Sequence, residues 1–516
     1  MGNRVEPAMT ARAVLPVMGL VVGLGAVGLG AATATGATTG DADWTVYHHD
    51  PQGSGVDSSG ARFTKVHPRW TSRVLDGDLY GEPLVEGGNV YVATEANTIY
   101  ALSGATGAVE WSTHLGPPVP SDQLPCGDIS PSSGVTGTPV IDPTRREMFV
   151  VADEEVSGRP LHMLVGLSLA RGRVLLDQAV DPPGASSPAL LQRTGLNLSA
   201  GRVVFGYGGN YGDCSTYHGW VISVPESGGA IRSFEVDAGR GQSQGAVWMG
   251  GAAPEVDATG NVWISVGNGS ETGGTYDGSD SVIELSPDLQ LLQLFAPSDW
   301  GTDNANDEDL GSSAPALLGD GLVVQAGKSH TGYLLSRTHL GGIGGQLAQK
   351  GAVCGTDVGG GDAVLGNVVY LPCRSGTTAV RVDGAPPSLS ILWRTASGAG
   401  GPPIVAGRLL WSISQTGELV ALDPTTGATT QQLTIGRVAN HFPTPSSGDG
   451  LLLAASARQV HAFASTVGMP ATATSTTGNR PAGPADAAPV GPSSSRAAGR
   501  LQWKDGPVDF PTGPGA

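Results

Sequence analysis

Asp303-Asn304-Ala305-Asn306-Asp307-Glu308-Asp309 is the densest run of oxygen ligands in the chain. A hard cation such as Ca²⁺ gathers roughly six to eight oxygens, and Asp303, Asp307 and Asp309 are the carboxylates here that would supply them. The run lacks the mid-loop glycine and the closing glutamate of an EF-hand, so a solvated acidic loop is the first expectation and a metal site the second. Trp248, in Gly245-Ala246-Val247-Trp248-Met249-Gly250-Gly251, offers a flat face to a planar ligand, although packing between neighbouring sheets is the expected use of such an aromatic. Asn268, Asp309, Lys328 and His330 join Trp248 as candidates to line one axial, cofactor-sized pocket. His48-His49-Asp50 holds further titratable groups, but not at zinc-motif spacing, so a capping or bridging role is expected. No nucleophile elbow is expected and neither a His-Glu-x-x-His sequence nor a P-loop occurs, so serine-hydrolase, zincin and nucleotide-hydrolase chemistry are expected to be absent.

The elements that must position these residues follow from a repeat. Asn89 to Gly116 reads as a strand with alternating Val90 and Val92, a polar turn, a second strand over Ile99 to Leu102, a turn at Gly107 and a third strand through Trp111. Two marks recur in phase. One is a small residue, usually with proline, that opens a short apolar strand: Pro83, Pro139, Pro188, Pro254, Pro315, Asp362, Pro403 and Pro445. The other is the strand that follows: Val90-Val92, Met148-Val150, Val203-Phe205, Val262-Ile264, Leu322-Val324, Val368-Tyr370, Leu409-Trp411 and Leu451-Leu453. Repeats of about four short strands at a period of roughly 40–65 residues are the pattern of propeller blades. The expected fold is therefore all-β, an eight-bladed propeller over 44–466. The last copy is short and an orphan pair around Trp44-Tyr47 and Arg69-Trp70 precedes the first, so N-terminal strands are expected to complete the last blade and remove the open edges. The strand after each first mark is expected to be innermost, where crowding about the axis accounts for Gly137, Ser186, Gly251, Ser312, Gly360 and Gly401.

Eighty glycines and only 14% charged residues suit short strands and many turns. A net charge of -18 disfavours nucleic acid and anionic membrane as partners, which leaves a small molecule, a glycan or an envelope protein. The apolar run Ala13 to Ala32, followed by Ala32-Thr33-Ala34, reads as a signal peptide over 1–34, ahead of a retained membrane anchor, with a linker over 35–43. A secreted or extracytoplasmic location follows, and four cysteines then suggest two disulfides, with Cys126–Cys214 and Cys354–Cys373 the preferred pairs. The Pro/Ala/Ser-rich stretch 467–516 is expected to be a disordered tail.

Tyr100-Ala101-Leu102-Ser103-Gly104-Ala105-Thr106-Gly107-Ala108-Val109-Glu110-Trp111 and Val420-Ala421-Leu422-Asp423-Pro424-Thr425-Thr426-Gly427 resemble the repeat of pyrroloquinoline-quinone (PQQ) propellers. Trp44 to Val56, Cys126 to Val140, Tyr217-His218-Gly219-Trp220, Val266-Gly267-Asn268-Gly269 and Asp309-Leu310-Gly311-Ser312 extend the resemblance to secreted bacterial members of that group. The resemblance implies that the repeat tryptophan docks blade to blade. Ser103 stands where the first repeat would have Asp, and Gln431 where the second would have Trp. It also implies PQQ and Ca²⁺ as cofactors of an alcohol or sugar dehydrogenase, in which a pair of adjacent disulfide-linked cysteines caps the quinone. This chain has no two adjacent cysteines. A ligand-binding or interaction scaffold is therefore the leading expectation, with the dehydrogenase and a protein-assembly scaffold of the cell envelope as alternatives.

Overall fold

The computed structural model describes residues 43–465 apart from 240, 396 and 397. The expected signal segment, nearly all of the linker and the C-terminal tail lie outside the described residues. Among those described, no helix is long and apolar enough to cross a membrane.

Eight sheets of four or five strands, antiparallel except where Gly342–Ile343 pairs in parallel with Leu291–Ala296, follow one another along the chain and form a β-propeller. Blade one is typical. Leu84–Glu86 is innermost, Asn89–Ala93 and Thr98–Ser103 are central, and Val109–His114 is outermost. The central strands are apolar on both faces because a neighbouring blade covers each face. The outermost strand alternates half-buried and exposed residues, since its edge meets solvent. The apolar clusters accordingly lie along the seams. Phe149 of blade two packs with Phe205 of blade three, Val221 of blade three with Ile264 of blade four, and Phe295 of blade four with Tyr333 of blade five.

Blade eight combines Ser446–Gly448, Leu451–Ala455 and Val460–Ser465 with Val66–Thr71 as its outermost strand, so the ring is closed by chain from both ends. The expectation for Trp44-Tyr47 needs correcting: this stretch joins no part of blade eight. It begins a strap, residues 44–57, that winds inside the ring of innermost strands. The strap carbonyls of Trp44, Thr45, Pro51, Ser54 and Gly55 accept from the N–H groups of Val85, Ile141, Val256, Val364 and Val405, at 2.6–2.9 Å. Asn197 Nδ2 donates to the Pro51 carbonyl at 2.8 Å, and Ser447 Oγ to Asp57 Oδ2 at 2.6 Å. Seven blades thus give a donor to one segment, which satisfies inner-edge N–H groups that face the axis rather than water.

The crowding expected of the small residues holds for Gly137, against the Thr194 carbonyl, and for Gly401, against the carbonyls of Ile413 and Pro443. Ser186 is different. In blade three the proline mark falls in a 3-10 turn, Ser187–Ala189, and Ser186 is exposed; the innermost strand is Asn197–Ser199, preceded by Gly195 packed on Tyr47 and Ala253.

Docking between blades follows the implied tryptophan rule in three places. Trp111 Nε1 donates to the Leu169 carbonyl at 2.8 Å over Gly172, Trp70 Nε1 to Gly104 at 2.7 Å over Gly107, and Trp393 Nε1 to Pro424 at 3.0 Å over Gly427. The three glycines have φ between +63° and +71°, and a β-carbon on any of them would enter the indole. Glutamine does the same work at three other seams. Gln178 exchanges two hydrogen bonds with Gly229, Gln431 two with Val66, and Gln293 bonds the Arg337 carbonyl and the Leu340 N–H.

Candidate functional site

Four of the five residues singled out for an axial pocket converge. Asp309, at the turn into blade five, is buried; its Oδ1 accepts from the Asn268 N–H at 2.7 Å and its Oδ2 meets Lys328 Nζ at 2.5 Å. Lys328 is anchored beside it by its own N–H on the Asp309 carbonyl, 2.9 Å. The ammonium also reaches Asp307 Oδ1 at 3.1 Å and lies 5.9 Å from the centre of the Trp248 ring. Asn268 Nδ2 closes the group with a 2.8 Å bond to Asp307. Burial works against charge on both partners. It pushes Asp309 above the usual carboxylate range despite Lys328, whereas on Lys328 the two carboxylates overcome it and hold the ammonium protonated. His330 does not join them: its Nε2 faces Asp357 at 3.5 Å.

The acidic run forms the short helix Trp300–Asn306, and Asp307 ends it in the left-handed region at φ +57°. This separates the three carboxylates. Asp303 is buried, its pKa raised to about 7 by burial and by Asp299 and Glu308, while Asp307 and Asp309 turn to Lys328. Among the described residues no three His, Cys, Asp or Glu side chains are arranged to hold a metal ion. The fit to Ca²⁺ is poor for a stated reason: the two carboxylates that do converge are already neutralised by a fixed ammonium. Trp248 is half-buried and has neighbours of its own, Lys328 and the Phe442 ring at 5.7 Å.

His48 and His49 belong to the strap, both with positive φ. The buried His48 stacks on Tyr47 at 4.4 Å, gives its N–H to Glu82 Oε2 at 2.9 Å and places Nδ1 3.2 Å from the Asp362 carbonyl, bridging blades one and six. Burial lowers its pKa to about 4, so it is neutral at pH 7. Both disulfides form as expected, Cys126–Cys214 and Cys354–Cys373. The first ties the long loop after blade one to the 210–219 loop of blade three, beside a polar cleft of about 550 Å³ lined by Asp213, Ser243, Gln244, Thr272 and Asn304 among others.

Two features escape the sequence reading. Gly241-Gln242-Ser243-Gln244-Gly245 has the Gly-x-Ser-x-Gly spacing of a nucleophile elbow, but no strand leads into it and no helix follows. Ser243 Oγ has no hydrogen bond to the nearby His218, whose Nδ1 pairs with Asp237 at 2.9 Å. The second is Arg193, from blade three. It lies against Gly251 of blade four, 5.9 Å from the ring centre of Tyr80 and 5.8 Å from that of Phe442. It escapes because the inner strand of blade three starts later than its mark.

Residues 66–230 match the family model described as outer membrane protein assembly factor BamB. Among solved structures, a quinohemoprotein alcohol dehydrogenase from Pseudomonas putida matches with TM-score 0.61 and 14% identity over 82% of this chain and 80% of that one. The quinohemoprotein alcohol dehydrogenase from Comamonas testosteroni gives 0.60 and 16% over the same shares. BamB from Moraxella catarrhalis gives 0.51 and 12%, over 78% of this chain and all of the other. This chain is a β-propeller that shares its fold with these structures. The comparison with curated protein sequences gives no match. At such identities the likeness shows the fold alone, one that enzymes and an assembly factor share, and residues must decide between them.

Proposed function

We propose that this PQQ-like propeller is an extracytoplasmic ligand-binding module rather than a calcium-dependent quinoprotein dehydrogenase. The observation that carries the reading is the Lys328 ammonium held between Asp307 and Asp309 beside Trp248. A quinone-activating cation would have to displace the half-buried Lys328 ammonium from Asp309, and no adjacent cysteines are present to cap a planar cofactor. Two disulfides fit an oxidising compartment. The test is to titrate the purified mature protein with PQQ, with and without Ca²⁺, and then to assay dye reduction over a panel of alcohols and sugars. The reading expects no Ca²⁺-dependent dye reduction; calcium-dependent turnover would overturn it. The family-model match over 66–230 supports a second reading, an envelope assembly scaffold, in which the ring binds a protein.

A further inference from the structure

Arg193 is 9% exposed, yet among the described residues its guanidinium makes no hydrogen bond and no ion pair. A buried charge without a partner is costly, and protein interiors ordinarily supply a carboxylate or carbonyls to a guanidinium. Here the group is flanked by the rings of Tyr80 and Phe442 and by Gly251, whose φ of +89° and lack of a side chain leave it room. Glu95, the buried acid within electrostatic reach, spends its Oε2 on the Gly134 N–H and Thr136 Oγ1, at 2.7 and 3.2 Å, while its Oε1 has no hydrogen-bond partner and makes no bond to the guanidinium. Lys328, the other cation of this region, is already matched by Asp307 and Asp309.

Residues of four blades place this cation close to the axis: Arg193 itself, Gly251, Tyr80 leading into blade one and Phe442 leading into blade eight. From there a row of aromatic side chains runs outward. Phe442 packs on the half-buried Trp248 at 5.7 Å and on His441 at 6.3 Å, and His441 on Tyr211 at 6.5 Å, with Tyr211 66% exposed. A guanidinium presents a planar fork of donors that matches the two oxygens of a carboxylate or phosphate.

We propose that Arg193 is the anchor of an oxyanion-binding site at the propeller axis, taking a small ligand whose carboxylate or phosphate head meets the guanidinium and whose apolar body lies along Phe442 and Trp248. The proposal rests on the ligand-binding reading above and gives it a ligand class. Isothermal titration of the full chain at low salt with benzoate, acetate and inorganic phosphate tests it, with variants R193M and R193K and the surface variant R145M as a control. Saturable binding is expected in the wild type and in R145M, at least tenfold weaker in R193M, and weaker in R193K because the fork is lost while the charge stays. Benzoate binding more tightly than acetate assigns the apolar body to the aromatic row; phosphate binding most tightly assigns the head group. No saturable binding of any of the three, or equal affinity in R193M, overturns the proposal. If R193M does not fold, unchanged affinity in R193K overturns it equally. These readouts are independent of Ca²⁺-dependent dye reduction, so the two readings fail separately.

Discussion

The side-chain amide of Gln431 and the backbone of Val66 exchange two hydrogen bonds: Oε1 accepts from the Val66 N–H at 3.0 Å, and Nε2 donates to the Val66 carbonyl at 2.7 Å. This pair fastens blade seven to the strand that closes the ring. Val66 is fully buried, so neither backbone group has water as a substitute. Gln431→Ala is expected to cost about 1–3 kcal/mol, read as a lower midpoint in chemical denaturation. An unchanged midpoint would show that the seam holds without it.

Lys328→Met removes the cation that compensates a buried carboxylate. Breaking such a pair is expected to cost about 2–4 kcal/mol at pH 7. The loss should shrink as pH falls, because Asp309, already raised by burial, then takes up a proton in the folded state more readily than in the unfolded one. Thermal melts of both proteins at pH 5 and 8 check this; a deficit that does not depend on pH would contradict it.

Stability should fall as pH rises above about 5. Burial raises Glu95 and Asp303 to about 7, Asp153 and Asp237 to about 6 and Asp280 to about 9. Each of these carboxyls binds a proton in the folded chain that the unfolded chain releases above its ordinary carboxylate pKa. Their contribution is thus full at low pH and is lost as pH climbs through the raised values. Two effects oppose this below pH 6. His48, held near 4 by burial, would charge on unfolding, and Asp181 and Asp257 sit below their ordinary value because hydrogen bonds outweigh burial. A maximum in Tm at mildly acidic pH is expected, and a Tm that rises steadily from pH 5 to 9 would refute the balance.

The two disulfides should reduce in order. Cys214 is exposed and Cys126 partly so, whereas Cys354 and Cys373 are buried. Mild reductant followed by alkylation and peptide mass spectrometry should label Cys126 and Cys214 first. Opening their bond frees a loop with a sequence separation of 88, and the expected loss is of the order of 4 kcal/mol in the chain-entropy account. Labelling of Cys354 ahead of Cys214 would reverse the assignment.

Much of the ring was legible because its evidence is periodic. Each strand of the second mark, from Val90 to Leu453, falls in a central strand of its blade, since burial on both faces forces apolar runs there. The first mark succeeds in seven blades and fails at Pro188, where additional residues precede the inner strand. Long-range chemistry leaves no such trace. Nothing in the spacing of Asp303, Asp307 and Asp309 says that a helix end turns one away, nor does any motif mark Arg193, Tyr80 and Phe442, which lie in three blades' connections. Gln178 and Gln293 were equally silent, because an amide that docks on a neighbour's backbone looks like any surface glutamine.

The strap over 44–57 also sets an order of events. It precedes every blade in the chain, yet its partners extend to Val405 and Ser447, so the earliest part of the ring to be synthesised is among the last that can be seated. Pairing over such sequence distances is slow, and it must wait until blades seven and eight have formed. A chain cut short before blade seven keeps only part of the strap's partners, so the strap is fully seated only once the ring has closed.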